Sequence, residues 1–487
     1  MARRWRAPVL AAVGLLGCSG GVPLTEVIRE TGPPSVQGPL TLTPIDFRTL
    51  DDGTVRGERG HLEVPVRREG GGTGRVSIHF VRLPARAPEP AAPIVYLAGG
   101  PGGSGTASAA GDRFPLFDAL RDVADVVALD QRGTWNSDPY MVCPGTWDVP
   151  LDVPLTDEGL ASALEPWVTE CHRHWTEQGV ELDAFNTRES AADLEALRVA
   201  LGAEKLNLWA ISYGTHLALE FARSFPGSVD RMVLAGIEGP DHTLKSPAAI
   251  DATLARADAF FVGQGETPLT SRARRAIERL REGPVTATAR RPGGQDVSVT
   301  FGELDARIAI FGSAGERANL VELGGALDRF LQGDHGPAAQ GFVDWRTGNQ
   351  GLAMSLAMDC SSWASPERLR RIDAEASASL LGDAANVLTR AQCRSWPGAR
   401  LDGSYHEAVR SDAPTLFISG ALDVRTPPAN AEEVAEGFTR AWHLIICDGG
   451  HDDDLLIEAP EVERAIADFF RGRAPVERRR EVCIGGG

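Results

Sequence analysis

The chain has 487 residues, of which 43% are hydrophobic, so it can bury a large core, either in one domain with an insertion or in two to three smaller domains. It carries 49 basic and 67 acidic residues, and the resulting net charge of −18 repels nucleic acids and anionic lipid surfaces. We therefore expect no nucleic-acid partner. An arginine-rich string near the C-terminus, Glu477-Arg478-Arg479-Arg480-Glu481, is flanked by acids and is interpreted as a solvated helix end.

The N-terminal residues have the pattern of an export signal. Residues 2–6 are basic, and residues 7–17 form an apolar segment that is too short to span a bilayer. The segment ends in Leu15-Leu16-Gly17-Cys18, which resembles the lipobox of bacterial lipoproteins and implies lipidation of Cys18; an ordinary signal peptide with an incidental cysteine is the alternative. We predict a signal peptide at 1–17 and a flexible tether at 18–43. The protein is then a cell-envelope lipoprotein, facing the periplasm or on the outer membrane, or a secreted protein, and its membrane contact is the lipid at Cys18.

Cysteine usage also indicates export. Setting Cys18 aside leaves six cysteines, an even set that suits a compartment where disulfides persist and that permits 15 pairings. They are Cys143, Cys171, Cys360, Cys393, Cys447 and Cys483. The string Cys171-His172-Arg173-His174 lacks further ligands at suitable spacing and no Cys-x-x-Cys occurs, so the string is interpreted as a helix surface. We expect no metal and no cofactor.

The first part of the chain predicts strands around a glycine-rich loop. Segments 61–66 and 75–83 alternate apolar and polar residues across a glycine-rich turn, as an antiparallel hairpin does. Segment 93–98 is typical of a buried strand and ends in Gly99-Gly100-Pro101-Gly102-Gly103-Ser104-Gly105. Because this loop lacks the Lys-Ser/Thr of a phosphate-binding loop, we interpret it as an oxyanion loop.

Strands and helices then alternate. A helix near 113–123 precedes a strand at 125–129, and helical periodicity resumes at 160–178 and 190–201. Such alternation predicts an α/β fold with a mostly parallel central sheet flanked by helices. The next apolar run, Lys205 to Ile211, breaks at Ser212, and its small neighbours suit a nucleophile elbow.

An acid and a histidine follow the two strands that the C-terminal part predicts. Asp423 comes directly after the run 413–420, and His451 follows the run 442–447. The order Ser, Asp, His is that of α/β-hydrolases, and not that of chymotrypsin-like or subtilisin-like chains. We predict Ser212 as nucleophile, His451 as general base and Asp423 as the acid that orients it, with the backbone amides of Gly100 and Tyr213 holding the oxyanion.

Other polar residues near these motifs have simpler interpretations. The acids of the histidine loop, Asp448 and residues 452–454, compete with Asp423 but crowd the ring too closely to reach behind it. Arg132 is interpreted as structural, and His216 as a packing residue.

About 175 residues separate the strand at 231–235 from the strand at 413–420. Helical stretches near 249–263, 271–282, 316–331 and 366–381, with a hairpin within 284–299, predict a largely helical cap inserted after the sixth strand. We therefore divide the mature chain into a hydrolase core at 44–238, a cap at 239–411 and a second core segment at 412–487.

The motifs together resemble one family of α/β-hydrolases. They are Gly99 to Gly105, Asp130-Gln131-Arg132-Gly133, Ile211-Ser212-Tyr213-Gly214, and Ser419 to Asp423 with Thr426-Pro427. The set is similar to the proline iminopeptidase and tripeptidyl aminopeptidase family, and most like its exported, cysteine-bearing tripeptidyl branch. Ala98 and Trp135-Asn136 depart from the family pattern without removing a catalytic group.

The resemblance implies an exported serine hydrolase that cleaves peptide bonds near a free N-terminus through an acyl-enzyme. Some relatives are described as esterases, so a carboxylesterase or lipase on the same scaffold is the alternative, and the substrate is a peptide or a small ester. The resemblance also implies that Cys143 pairs with Cys171 and Cys360 with Cys393, which leaves Cys447 with Cys483. Cap acids of the family hold the substrate ammonium, and Glu238 and Asp359 are the candidates here.

Overall fold

The computed structural model describes residues 27–49, 53–68, 74–291 and 293–484. The predicted signal peptide, Cys18 and the first part of the predicted tether lie outside the described residues. Within these ranges the strands are β1 Ile28–Glu30, β2 Ser35–Gln37, β3 Leu40–Arg48, β4 Thr54–Pro65, β5 Arg75–Leu83, β6 Ile94–Leu97, β7 Val126–Leu129, β8 Leu206–Ile211, β9 Val229–Ala235, β10 Val285–Arg290, β11 Asp296–Phe301, β12 Thr415–Gly420, β13 Ala441–Ile446 and β14 Arg479–Val482.

The α-helices of the same ranges are α1 Gly105–Ala110, α2 Phe114–Leu120, α3 Asp157–Glu177, α4 Thr187–Ala200, α5 Tyr213–Ser224, α6 Pro247–Gly263, α7 Leu269–Glu282, α8 Glu303–Ser313, α9 Arg317–Leu331, α10 Gly336–Arg346, α11 Ala353–Ser362, α12 Pro366–Ala376, α13 Val387–Ser395, α14 Pro428–Ala435 and α15 Pro460–Phe470. None of the helices described here is long and apolar enough to cross a membrane.

One sheet organises the molecule. Its strand order is β1-β3-β4-β5-β7-β6-β8-β9-β12-β13-β14, with β2 on β3. The strands from β1 to β5 pair antiparallel, and those from β7 to β14 pair parallel, so the predicted mostly parallel α/β sheet is confirmed. Every residue of β6, β7, β8 and β12 is buried, because helices cover both faces of the parallel part.

The strands bury alternate residues in two separate cores. On one face, Val95 and Leu97 of β6 pack in the core that includes α3, α4 and α5. On the other face, Tyr96 of β6 and Trp209 of β8 pack with α2 and α15. This arrangement places the carboxyl ends of β6, β8, β9, β12 and β13 along one edge, where the predicted site residues follow the strands.

The predicted tether is wrong from residue 28 onward. Residues 28–30 and 35–37 form β1 and β2, and β3 begins at Leu40. The glycines and prolines of this segment concealed the alternation of β3, in which Leu40, Leu42, Ile45 and Phe47 are buried. Because β1, β2 and β3 precede the predicted hairpin, the cap follows the ninth strand of the described chain and not the sixth.

The arginine-rich string near the C-terminus was also misassigned. Arg479 to Val482 form β14, which pairs in parallel with β13, rather than a helix end. The side chains of β14 are largely exposed, as is typical of an edge strand, so the string carries little hydrophobic signal.

The insertion between β9 and β12 is largely helical, and β10 pairs with β11 as the predicted hairpin. Helices α8, α10, α11 and α13 are additional to those that the sequence indicated. The structure contains the two disulfides that the resemblance implied and the third pair that remained by elimination. Cys143–Cys171 ties the loop after β7 to α3, Cys360–Cys393 joins α11 to α13, and Cys447–Cys483 ties the loop after β13 to the end of β14.

Candidate active site

Ser212 occupies a sharp turn between β8 and α5. Its φ of 54° and ψ of −128° lie where a non-glycine residue is strained, and such strain is typical of functional sites. Two contacts hold the turn: the Ser212 N–H donates to the carbonyl of Ala235 at 2.9 Å, and Thr215 Oγ1 donates to the carbonyl of Ser212 at 2.7 Å. Ala210, which replaces the usual first glycine, lies within β8, where ordinary strand geometry accommodates a side chain.

Small residues around the serine let other segments approach it. A Cβ at Gly214 would lie 2.1 Å from the carbonyl oxygen of Leu97, and a Cβ at Gly99 would lie 2.8 Å from the Cβ of Ser212. Only glycine fits at these two positions, so α5 and the loop after β6 can both close on the serine.

Asp423 lies in the loop after β12 and is fully buried. Its Oδ2 is 2.7 Å from Nδ1 of His451, and the same oxygen accepts a hydrogen bond from Thr426 Oγ1 at 2.6 Å. Oδ1 accepts the backbone N–H groups of Arg425 and Thr426 at 2.8 and 2.9 Å. Burial by itself raises the pKa of this carboxyl, but the charge of His451 and the hydrogen bonds outweigh burial and lower the pKa. Asp423 is therefore an ionised acceptor that fixes the orientation of the ring.

His451 and Ser212 flank the same strand end. A Cβ at Gly236 would lie 2.9 Å from Cε1 of His451, and Ser212 is bonded to Ala235, the residue before Gly236. With a φ of 57°, Gly236 turns the chain away at this point, so the imidazole occupies the space that a side chain would fill. The cap holds the histidine from the other side, since the His451 N–H donates to the carbonyl of Gly315 at 2.8 Å.

The other acids of the histidine loop bind elsewhere. Asp452 and Asp453 both pair with Arg113, the latter at 2.6 Å. Asp454 accepts the backbone N–H groups of Gly450 and Arg317 at 2.7 and 3.2 Å. These acids fix the loop rather than the imidazole, as the sequence interpretation expected.

The glycine-rich loop after β6 faces the serine. Gly100 is exposed and has a φ of 120°, and Gly103 N–H donates to the carbonyl of Gly99 at 3.0 Å. Buried Asp130 anchors the far end of the loop by accepting Ser104 Oγ at 2.6 Å. Tyr213 begins α5, where backbone N–H groups have no partner within the helix, so its amide and that of Gly100 are suited to hold an oxyanion.

Two of the remaining predicted residues are structural. Arg132 is buried, and its guanidinium donates to both carboxylate oxygens of Asp193 at 2.7 Å. His216 is buried below the site, where Nδ1 lies 3.0 Å from the carbonyl of Gly239. Burial lowers the pKa of His216 to about 4, so the ring is neutral at ordinary pH.

Glu238 and Asp359 both lie beside the turn that contains Ser212. The N–H of Glu238 donates to Thr215 Oγ1 at 2.8 Å, and Thr215 in turn bonds to the carbonyl of Ser212. Asp359 lies on α11, one turn after Ser355, whose hydroxyl donates to the carbonyl of Pro101 in the glycine-rich loop at 2.6 Å. The two acids therefore meet at the side of the site where the cap joins the core.

Lys245 completes this acidic cluster, and the sequence analysis missed it. Its Nζ lies 2.9 Å from Oε2 of Glu238. Burial, with a smaller contribution from the charge of Glu238, raises the pKa of Asp359 to about 8, while Lys245 opposes the rise. The scarcity of lysine was an available signal, because the chain has only Lys205 and Lys245.

The possible metal ligands have other partners. Cys447, Asp448 and Cys483 lie close together, but both sulfurs belong to one disulfide. On α3, the His172 ring packs against Trp396 and the His174 ring against Trp175.

Residues 92–453 match the model of the α/β-hydrolase fold family, and the chain belongs to that family. Over 244 residues the chain is 29% identical to serine protease Hip1 of Mycobacterium tuberculosis, a match covering 49% of this chain and 46% of that protein. Over 161 residues it is 30% identical to tripeptidyl aminopeptidase of Streptomyces lividans, covering 30% of this chain and 28% of that protein. The chain thus spans less than half the length of these relatives.

A solved structure of a proline iminopeptidase-related protein from Thermus thermophilus is 20% identical, with a TM-score of 0.35, and the match covers 85% of this chain and 98% of that one.

Proposed function

We propose that the protein is an exported serine peptidase that cleaves peptide bonds near the free N-terminus of its substrates. Ser212 attacks the scissile carbonyl, and Nε2 of His451 takes the hydroxyl proton. Nε2 is the free acceptor because Nδ1–H donates to ionised Asp423. His451 then gives the proton to the leaving amine, and a water molecule that it activates hydrolyses the acyl-enzyme.

The oxyanion of each tetrahedral intermediate is held by the backbone amides of Gly100 and Tyr213. Both amides belong to segments fixed by contacts already described, so they need little reorganisation as charge develops on the oxygen. No step in this sequence uses a cofactor.

The acidic cluster is the observation that favours a peptidase acting at an amino terminus over a carboxylesterase. Glu238 and Asp359 are two carboxyl groups at one side of the site, and the cation Lys245 pairs with Glu238. Because burying a carboxylate without a partner is costly, both acids can be ionised together when a substrate ammonium supplies a second positive charge. An ester substrate would bring no such charge. The relatives named serine protease and tripeptidyl aminopeptidase give independent support for peptide cleavage.

A comparison of blocked and free substrates tests this proposal. A tripeptide p-nitroanilide with a free amine should be cleaved with a kcat/KM at least about tenfold above that of its N-acetylated form, because each 1.4 kcal/mol of ammonium binding is worth tenfold. Equal kcat/KM values would refute N-terminal specificity and favour a carboxylesterase, for which p-nitrophenyl esters would be the better substrates.

Two variants test whether the acids of the cluster cause the preference for a free amine. Glu238→Gln and Asp359→Asn should raise KM for the free-amine substrate and leave ester hydrolysis nearly unchanged. Glu220→Gln is a matched control, because Glu220 is a buried acid of α5 that bonds to Ser224 rather than facing the site. A preference for the free amine that survives both cluster variants would contradict the assignment.

We further propose export with lipidation at Cys18. The three disulfides support an oxidising compartment, since such bonds rarely persist in the cytosol. Labelling cells with a fatty-acid analogue should mark the wild-type protein but not Cys18→Ala. Label that persists on the variant would refute lipidation at this residue.

A further inference from the structure

The acidic cluster consists of two acids, Glu238 and Asp359, and one cation, Lys245. Lys245 Nζ donates to Oε2 of Glu238 at 2.9 Å and to the carbonyl of His242 at 3.2 Å. Within the described ranges, the structure shows no donor on the Asp359 carboxyl. One carboxylate is therefore occupied by a cation of the protein, and the other is not.

The position of residue 245, and the fact that it is a lysine, favour an arrangement in which Glu238 has a protein cation and Asp359 has none. The backbone N–H of Lys245 donates to Asn386 Oδ1 at 2.6 Å, and Asn386 Nδ2 donates to the carbonyl of Lys245 at 2.9 Å, so both sides of the backbone are fixed. Lysine is a compact point charge, whereas arginine presents a planar fork that can engage two acids at once. A lysine here can hold Glu238 without also covering Asp359.

Burial favours the neutral form of three other titratable groups around Asp359, as the shifts of their pKa values show. Burial raises the pKa of Tyr213 well above its ordinary value, and the phenol hydroxyl donates to Sδ of Met358 at 3.1 Å. Burial lowers the pKa of His216 to about 4. Burial also lowers the pKa of His242, which pairs with Glu433 at 3.0 Å. Asp359, with a pKa raised by burial to about 8, is the group positioned to exchange a proton between pH 6 and 7.

We propose that Lys245 keeps Glu238 occupied, so that Asp359 receives the substrate's ammonium and releases its own proton to the solvent as the ammonium binds. This inference rests on the proposed function. The free site contains a carboxylate, an ammonium and a neutral carboxylic acid. The bound site contains two carboxylates and two ammonium groups, so its net charge stays constant and one proton leaves for the buffer.

Proton release can be measured by isothermal titration calorimetry at pH 6 in two buffers of different ionisation enthalpy. The protein is Ser212→Ala, which prevents turnover, and the ligands are trialanine amide and its N-acetylated form. A peptide amine remains charged at pH 6, so the proton can come only from the protein. We expect about one proton released for each trialanine amide bound, because a carboxyl with a pKa about 8 is almost fully protonated at that pH.

Variants in the Ser212→Ala background test the role of the lysine. In Lys245→Met, Glu238 becomes free to take the ammonium, Asp359 keeps its proton, and release should fall from about one proton to near zero while binding persists. Lys245→Gln should give the same result if the methionine variant does not fold. Lys205→Met is the matched control and should still release about one proton.

The outcomes separate this inference from the function on which it rests. Equal affinity for the free and acetylated peptides would refute the proposed function. Tighter binding of the free amine without proton release would overturn the present inference alone. Release of a full proton from both Lys245→Met and Lys245→Gln would also overturn it, since the lysine would then not decide which acid binds the ammonium.

Discussion

Replacing Asp359 by asparagine is expected to stabilise the fold while it weakens binding of free-amine substrates. The carboxyl has a pKa of about 8 in the folded protein against an ordinary 3.8. Between these two values the folded protein holds a proton that the unfolded chain has lost. The stability contributed by this group is therefore fully present below about pH 4 and is lost as the pH rises towards 8.

The size of the stabilisation by Asp359→Asn follows from the pKa shift of Asp359. Each pH unit between the two pKa values lowers the free energy of unfolding by about 1.4 kcal/mol. From pH 3.8 to pH 7 the loss approaches about 4 kcal/mol. Asparagine never ionises and avoids this loss, so about 4 kcal/mol is the upper limit of the stabilisation at pH 7, because water entry and local relaxation reduce it.

Denaturant unfolding of wild type and Asp359→Asn at pH 4, 6 and 8 measures this difference. The two proteins should be nearly equal at pH 4, and the variant should be increasingly more stable towards pH 8. Glu433→Gln is a control of opposite sign, because the hydrogen bond with His242 lowers the pKa of Glu433 to about 2. An Asp359→Asn variant that is less stable than wild type at pH 8 would refute the reasoning.

Three further variants test the site and its support. Ser212→Ala should fold but lose turnover by several orders of magnitude together with fluorophosphonate labelling, and near-normal hydrolysis would exclude it as nucleophile. Gly236→Ala would place a methyl group 2.9 Å from Cε1 of His451, so kcat for an ester should fall; an unchanged kcat would contradict the placement of the ring. Arg132→Met removes one of the two cations on buried Asp193, which keeps Arg68 at 2.5 Å, and it leaves two buried carbonyls without their donor, so the free energy of unfolding should fall by about 1–3 kcal/mol; an unchanged value would show that the pair is not needed.

Local patterns in the chain predicted the parallel half of the sheet and the turns that follow its strands. The strands β6, β8 and β12 are largely apolar and fully buried because helices cover both of their faces, and a glycine or a serine marks where each run ends. These signals are local, so Ser212, Asp423 and His451 could be placed at strand ends before any pairing was known.

The strands at the edges of the sheet could not be predicted from local patterns. Strands β1, β2 and β14 are short and mostly exposed, so their residues show little hydrophobic pattern. Their conformation comes from hydrogen bonds to a neighbouring strand, and such pairing depends on the partner rather than on the segment itself.

The groups that meet across the site are brought together by contacts between distant segments. The hydrogen bond from His451 to Gly315 joins the core to the cap, and the hydrogen bond from Ser355 to Pro101 joins α11 to the glycine-rich loop after β6. Likewise, the family resemblance indicated Glu238 and Asp359, but it did not indicate Lys245, which pairs with Glu238. Contacts between distant segments leave no periodicity in the chain, and the charge balance of the cluster exists only after folding has buried the two acids together.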